Sequence, residues 1–172
     1  MKRRRGQKPG AQKPGLSHVD ASGHVRMVDV GDKAETAREA LARGRITVGP
    51  AALRAIRAGT VKKGDPLQAA RLAGILAAKR TSDLIPLCHP LPISHVDVTI
   101  TRAKSGYTIE SRVRTTARTG VEMEALTAVA VAALTIYDML KAIEKTMVIG
   151  EICVMEKRGG RTGEWKRSVD SR

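Results

Sequence analysis

The sequence predicts an α+β fold, an antiparallel sheet with helices packed on one face, from the order of its elements. Val96, Val98 and Ile100 alternate with polar residues, which predicts a half-buried strand. Ser105-Gly106 then predicts a turn into an antiparallel partner strand. A long apolar helix is predicted from Gly120 to about Lys145, followed by a last strand over 148–155. With a strand and helices before them, these elements give the split βαβ, ferredoxin-like order.

The predicted elements before residue 60 are short. Residues 25–30 are a candidate extended segment. Residues 34–43 are rich in Ala, Glu and Arg and predict a helix closed by Gly44, with a first short strand over 45–48. A proline at a helix start and a glycine after the last apolar residue predict a second short helix between Pro50 and Gly59.

The next helix has the clearest start signal in the chain. Asp65 is a good N-cap residue, and Pro66 suits the first helical position. The helix is predicted to run to about Arg80, and its small residues favour close packing. A loop bounded by prolines follows, from Pro86 to Pro92.

Length and charge predict a single domain with basic ends. The chain has 172 residues and a net charge of +14. Residues 1–14 hold six basic side chains and no acid, and 157–172 hold six against two acids, so the middle carries only +4. We therefore expect a flexible basic arm over 1–15, a single α+β domain over 16–158, and a Gly-rich basic loop and tail over 159–172.

Several classes of protein are excluded by composition. Apolar residues make up 42% of the chain, too many for disorder throughout. The basic start lacks the apolar segment of a secretory signal, and no apolar run reaches the ~18 residues of a membrane span. Cys88 and Cys153 form neither a disulfide framework nor a CxxC metal motif. No metal or cofactor is predicted, and a reducing cytoplasm is the expected location.

The basic ends leave an alternative open, a nucleic-acid-binding accessory oligomer without catalysis. Basic tails bind phosphates without sequence preference. However, the chain has no Phe, and its only large rings are Tyr107, Tyr137 and Trp165, so it offers little surface for base stacking. Salt-dependent nucleic-acid retention with and without residues 1–14 would distinguish this alternative from an enzyme. A structural oligomer with a degenerate site is a third possibility.

The proline-bounded loop and the long helix hold the first candidate site residues. Pro86 and Pro90 stiffen the loop around Cys88 and His89. A purely structural interpretation is also open, in which the thiol packs as a small apolar group and the imidazole binds a backbone group. Adjacent side chains diverge, so a thiolate enzyme is not predicted.

Asp138 and Lys141 stand three residues apart on one face of the long helix. A charge in so apolar a helix either pairs or functions, and an Asp–Lys couple suits acid–base chemistry; both interpretations stay open. Thr119 and Glu122 predict a capping box at the helix start. Glu124 and Asp138 would lie about 21 Å apart along the axis, so a site using both is predicted to combine two subunits of a homo-oligomer.

Two basic segments, taken together with the Asp138–Lys141 pair and the stiff loop around His89, suggest a phosphorylated small molecule as ligand. Lys62 and Lys63 precede a helix N-terminus, where backbone N–H groups favour anions. KRGGRTG at 157–163 is a cationic glycine loop that lacks the spacing of a P-loop.

Five motifs closely resemble the cyclic pyranopterin monophosphate synthase family, also called MoaC. They are LSHVD at 16–20, MVDVGDK at 27–33, KRTSDLIPLCHPL at 79–91, TGVEMEALTAVAVAALTIYDMLKA at 119–142 and MVIG at 147–150. The resemblance covers about residues 16–163. It implies a cytoplasmic lyase of molybdenum cofactor biosynthesis with a ferredoxin-like fold, assembled as a homohexamer, a trimer of dimers, with sites at subunit interfaces.

The implied substrate is 3′,8-cyclo-7,8-dihydroguanosine 5′-triphosphate, a cyclised GTP made by an upstream radical GTP cyclase. The family converts it into cyclic pyranopterin monophosphate and diphosphate, a reaction that needs proton transfers and cations to offset the charge of the leaving group.

The resemblance also assigns roles to individual residues. It implies that Asp138 and Lys141 are catalytic, together with Lys63, reached from elsewhere in the assembly. The residues implied to bind substrate are Leu87, Cys88, His89, Met123, Glu124, Lys157 and, beside them, Glu122. The glycine loop of the family often reads KSGGKSG, so the KRGGRTG of this chain leaves phosphate roles for Arg158 and Arg161 open.

Overall fold

The computed structural model of the protein describes residues 23–160 and 163–168. The predicted arm over 1–15, the LSHVD motif and Arg161 lie outside the described residues. The described elements, in chain order, are β1 Thr36–Thr47, α1 Pro50–Ala58, α2 Pro66–Ala78, α3 Thr81–Leu84, β2 Ile93–Ala103, β3 Gly106–Ala117, α4 Glu122–Leu140, β4 Ile149–Arg158 and β5 Trp165–Lys166.

The five strands form one antiparallel sheet in the order β2-β3-β1-β4-β5. The helices α1 to α3 connect β1 to β2, and α4 connects β3 to β4. The helices α2 and α4 pack on each other and on one face of the sheet. The first four strands therefore have the split βαβ order, and the predicted fold class is confirmed.

The helix predicted over 34–43 is wrong, because this segment belongs to β1. Ala40, Ala42 and Gly44 alternate on the face that α4 covers, and all three are buried. A Cβ on Gly44 would lie 2.7 Å from the Cγ1 of Val129 in α4. The strand is thus built from small residues so that the helix can approach, and this tertiary contact overrides the helix propensity of Ala, Glu and Arg. Gly44 ends no helix, and the short strand predicted over 45–48 is the end of β1.

The extended segment predicted over 25–30 forms no strand. Apart from a single bridge at Val25, it has no regular secondary structure. One contact to it comes from the loop that follows α3, where the His89 side chain hydrogen-bonds to the Val28 carbonyl.

The two helices predicted from start and stop signals are confirmed. α1 begins at Pro50 and ends before Gly59, which has φ 66°. The Asp65 carboxylate accepts hydrogen bonds from the backbone N–H groups of Leu67 and Gln68 at 2.9 and 3.2 Å and caps α2. In α2, a Cβ on Gly74 would lie 2.9 Å from a backbone oxygen of α4, so a residue without a side chain permits the close packing.

The long helix α4 is shorter than predicted and starts differently. It ends at Leu140, and residues 141–143 form a turn after which Ile143 and Glu144 both donate backbone hydrogen bonds to the Leu140 carbonyl. The predicted capping box does not form. The N-cap is Val121, which places Glu124 rather than Glu122 at the third helical position, and no side chain caps this end.

By length and composition alone α4 could cross a membrane. However, 56% of its most apolar 18-residue stretch is buried inside the domain. It is the central core helix, packed on β1, β3 and β4.

Candidate active site

The predicted site residues form two clusters at opposite ends of α4. The carboxyl-end cluster consists of Lys63, Asp138 and Lys141. The amino-end cluster consists of Leu87, Cys88, His89, Glu122, Met123, Glu124 and Lys157.

The carboxyl-end cluster is a carboxylate held between two lysines. The Nζ of Lys141 lies 2.7 Å from the Oδ1 of Asp138, one helical turn away. The Nζ of Lys63 lies 2.6 Å from Oδ2 and also donates to the Asp138 carbonyl at 3.0 Å. The Asp138 side chain is 53% exposed, so the cluster is open to a ligand.

These contacts keep Asp138 ionised. The hydrogen bond from Lys141, followed by the one from Lys63, lowers the pKa of Asp138 to about 2. The same carboxylate raises the pKa of Lys141. At neutral pH the cluster therefore presents ammonium groups as proton donors, and Asp138 is the anion that orients them.

Lys63 reaches Asp138 because of the turn between α1 and α2. Gly64 donates a backbone hydrogen bond to Val61 at 3.0 Å and has φ 94°, which closes a tight turn with Lys63 inside it. The N-terminus of α2 is capped by Asp65, and Lys63 pairs with Asp138, so the anion site predicted from Lys62 and Lys63 before this helix stays a prediction. Lys63 also meets Asp138 within one chain, whereas the resemblance implied that it is reached from elsewhere in the assembly.

The amino-end cluster surrounds a cavity of about 400 Å³. The proline-bounded loop and the first turn of α4 form two of its walls, and the segment around Val28 forms a third. The His89 Nε2 lies 3.0 Å from the Val28 carbonyl. A carbonyl only accepts, so Nε2 carries the hydrogen and donates it to Val28. His89 thus binds a backbone group, as the structural interpretation predicted, and also lines the cavity.

Glu124 is the buried acid of this cavity. Only 4% of it is exposed, and this burial, more than the neighbouring Glu122 charge, raises its pKa to about 7. Burial and the charge of Glu124 also raise the pKa of the Cys88 thiol. At neutral pH, Glu124 can therefore gain or lose a proton, whereas Cys88 stays a thiol.

A second cavity, of about 430 Å³, adjoins the first and is basic. The two share Lys33, Thr119, Gly120 and Glu122 as lining residues. The second cavity is also lined by Arg38, Arg118 and Lys157. The Lys157 Nζ lies 3.9 Å from Glu122, which places it at the junction.

The two clusters do not meet in one chain. Glu124 and Asp138 are 14 residues apart on a continuous helix, or about 21 Å along its axis at 1.5 Å per residue. The continuous helix keeps Glu124 and Asp138 at its opposite ends, and each cluster forms without the other.

Within the described ranges 23–160 and 163–168, no group of three or more His, Cys, Asp or Glu residues lies close enough together to hold a metal ion. The donors that line the cavities are those of an anion and proton-transfer site.

Comparison with known proteins identifies the family. Residues 27–160 match the model of the MoaC family. The chain belongs to this family. It is similar to a cyclic pyranopterin monophosphate synthase of Chloroflexus aurantiacus, at 60% identity over 88% of the chain and 94% of that protein. The proteins of the same name from Thermomicrobium roseum and Heliobacterium modesticaldum are 57% and 58% identical, over 90% and 88% of the chain and 95% and 97% of their own lengths.

Three basic residues of this MoaC-family chain, Lys33, Arg38 and Arg118, line the cavities but were not among the predicted site residues. Lys33 lines both cavities, and Arg38 lines the basic one. Lys33 is the last residue of the MVDVGDK motif, so the motif could have identified it as a site residue from the sequence. Arg38 lay in the segment predicted as a helix, and only its place on β1 brings it to the cavity. Arg158, left open from sequence, pairs with Glu164 at 3.2 Å and does not line either cavity.

Proposed function

We propose that the chain is a cyclic pyranopterin monophosphate synthase. It converts 3′,8-cyclo-7,8-dihydroguanosine 5′-triphosphate into cyclic pyranopterin monophosphate and diphosphate, which makes it a lyase of molybdenum cofactor biosynthesis. The observation that carries this proposal is the Lys63–Asp138–Lys141 cluster, with contacts of 2.6 and 2.7 Å, in a chain 57–60% identical to synthases of that name.

In this proposal the carboxyl-end cluster supplies protons to the ring that opens. An ammonium group held by Asp138 is oriented before substrate arrives, so little reorganisation accompanies proton transfer. When substrate takes the place of one ion-pair contact, the proton affinity of that lysine falls, because its carboxylate partner is lost. Asp138 is then the group that returns the lysine to its starting geometry.

The amino-end cluster binds the substrate and moves a second proton. Glu124 exchanges its proton near neutral pH, as general acid–base catalysis requires. Leu87, Cys88, His89 and Met123 form the walls around it. Glu122 and Lys157 mark the passage to the basic cavity.

The basic cavity suits the triphosphate of the substrate. Lys33, Arg38, Arg118 and Lys157 can offset charge that develops on the departing diphosphate. A phosphate chain in this cavity leaves the rest of the nucleotide beside Glu124 and His89, because the two cavities share lining residues.

A complete site requires a second copy of the chain. One small molecule does not span the 21 Å or so between the clusters, so the carboxyl-end cluster of one protomer must meet the amino-end cluster of another. The outer sides of α2 and α4 support such contacts, since they expose large apolar residues, Leu72, Leu76, Met123 and Leu134. We assign the assembly as a homohexamer, a trimer of dimers, acting in the cytoplasm downstream of a radical GTP cyclase.

A single-turnover assay tests the reaction. Purified protein is mixed with the cyclised GTP, and diphosphate and pterin products are followed. We expect product from the parent and an at least about hundredfold slower reaction from Asp138→Asn, which removes the charge that orients both lysines. The matched control is Asp97→Asn, since Asp97 is an exposed carboxylate on β2 that accepts a hydrogen bond from Thr99. A folded, oligomeric parent that forms no product refutes the proposal, and turnover of Asp138→Asn within a few-fold of the parent refutes the site.

A further inference from the structure

The loop after α4, residues 144–148, forms hydrogen bonds with residues 47–49 at the end of β1, and the proposed reaction does not use these bonds. Thr47 donates its N–H to the Val148 carbonyl at 2.9 Å, and its Oγ1 accepts from the Val148 N–H at 2.9 Å. The Glu144 carboxylate accepts the N–H of Gly49 at 2.7 Å, and its other oxygen accepts the hydroxyl of Thr146 at 2.9 Å. We call this set the β1–α4 clasp.

Glu144 completes the N-terminus of α1. Gly49 is the N-cap of that helix and has no side chain to offer, and the first turn of α1 contains no acidic residue. The Glu144 carboxylate therefore supplies, from the far end of the sequence, both an acceptor for the cap N–H and a negative charge at the positive end of the helix. The approach is so close that a Cβ on Gly49 would lie 2.6 Å from either Glu144 oxygen.

Through its carboxylate and its backbone N–H, Glu144 also connects the segments that carry Asp138 and Lys63, the two residues that contact each other in the carboxyl-end cluster. On one side, the Glu144 N–H donates to the carbonyl of Leu140, two residues after Asp138. On the other side, α1 leads through Gly59 into the tight turn that presents Lys63. A ring of contacts thus runs from Asp138 through Glu144 and α1 to Lys63 and back to Asp138. The Glu144–Gly49 contact is its link between the loop after α4 and the start of α1, and the Thr47–Val148 hydrogen bonds lie beside it.

We propose that Glu144 is a positioning residue, which sets the Lys63–Asp138 contact by holding α1 against the end of α4. It touches neither lysine nor the reacting atoms, and it acts only through the placement of Lys63. This inference rests on the proposed function for its kinetic consequence, but its structural consequence can be measured without substrate. Displacing a catalytic group by about 1 Å lowers turnover by up to about a hundredfold.

The first test measures the pKa of Asp138 by carbon NMR of protein labelled at aspartate, with Asp138→Asn used to assign the resonance. Lys63 is one of the two groups that keep this pKa low. In Glu144→Ala, Lys63 moves away and the pKa of Asp138 rises, while the remaining contact with Lys141 holds it below the ordinary value of 3.8. Gly49→Ala attacks the same contact from the other side, because its methyl group displaces the carboxylate, and it serves if Glu144→Ala does not fold.

The control is Glu110→Ala, which removes a partly buried carboxylate paired with Arg43 on the outer face of the sheet. We expect it to leave the pKa of Asp138 unchanged. An unchanged pKa of Asp138 in the folded Glu144→Ala or Gly49→Ala protein overturns the proposal, whatever happens to turnover.

The second test is a double-mutant cycle with Lys63→Ala. Glu144→Ala alone should lower kcat about tenfold with little change in KM, since substrate contacts are intact. Added to Lys63→Ala, it should lower kcat no further, because the group that it positions is already gone. Independent, multiplying losses would overturn the proposal. If the parent forms no product, the proposed function fails, but the NMR titration still decides the role of Glu144.

Discussion

The two ends of α4 carry the same functional group in opposite electrostatic states. Glu124, in the first turn, is buried, and its pKa is raised to about 7. Asp138, in the last turn, is half-exposed and forms ion pairs with Lys141 and Lys63, which lower its pKa to about 2. The helix dipole favours the reverse, since it stabilises anions at the amino end and cations at the carboxyl end. Burial at one end and two ammonium groups at the other therefore outweigh the dipole.

The difference shows how one helix provides two kinds of carboxyl group. At neutral pH the first is a proton carrier, and the second is a permanent anion that holds proton donors in place. Assigning the proton-carrying role to Asp138 from the sequence pattern alone overlooks Glu124, which the resemblance implied only as a substrate-binding residue.

The prediction with the largest expected effect combines, in one assembly, a variant at the amino end of α4 with a variant at its carboxyl end. We expect His89→Ala and Asp138→Asn to be inactive separately and to regain about one quarter of the parent activity when co-expressed. Random pairing makes half of the dimers mixed, and one of the two sites in each mixed dimer is then intact. The measurement is diphosphate release by the purified mixture, with each variant co-expressed with itself as control. Activity of the mixture no greater than that of the separate variants would show that the two ends do not combine between chains.

A second prediction concerns stability and pH at the amino end. The folded pKa of Glu124 is raised above its ordinary value of 4.5 to about 7, so the protonated form stabilises the fold below pH 4.5 and this contribution is lost as the pH rises through 7. Relative to Glu124→Gln, the parent should therefore lose about 2–3 kcal/mol of unfolding free energy between pH 5 and pH 8. Urea denaturation of both proteins at equal concentration measures this.

The control for that titration is Asp97→Asn, since Asp97 is an exposed carboxylate on β2 that does not contribute to the pKa of Glu124. Its unfolding free energy should follow the pH dependence of the parent. If Glu124→Gln also follows the parent, the carboxyl group at the amino end is ionised in the folded protein and the contrast between the two ends fails.

The smallest predicted effect tests the packing that holds both ends in place. Gly44→Ala puts a methyl group 2.7 Å from Val129, so α4 must shift, and we expect a loss of about 1–3 kcal/mol in urea denaturation. Gly150→Ala is the control, because no atom lies within 4 Å of its added methyl group, and its effect should stay within about 0.5 kcal/mol. Equal stability of the two variants would mean that α4 does not pack closely against Gly44.

Local signals determined much of this protein. The Asp65-Pro66 start, the Gly59 stop and the alternation in β2 each depend on residues near one another in the chain, so the corresponding elements were predictable from the sequence. The same holds for the Asp138–Lys141 pair, because helical spacing alone puts the two on one face. The motifs around them sufficed to indicate the family.

The tertiary structure decided what depends on contacts between distant segments. Residues 36–47 have helix-forming composition and become a central strand because their small side chains accept α4. Lys63 joins Asp138, 75 residues later, only because α1 and its following turn place it there. The pKa of Glu124 rises because the fold removes water from the first turn of α4. Burial and long-range charge pairing are properties of the packed chain, and no local sequence pattern fixes them.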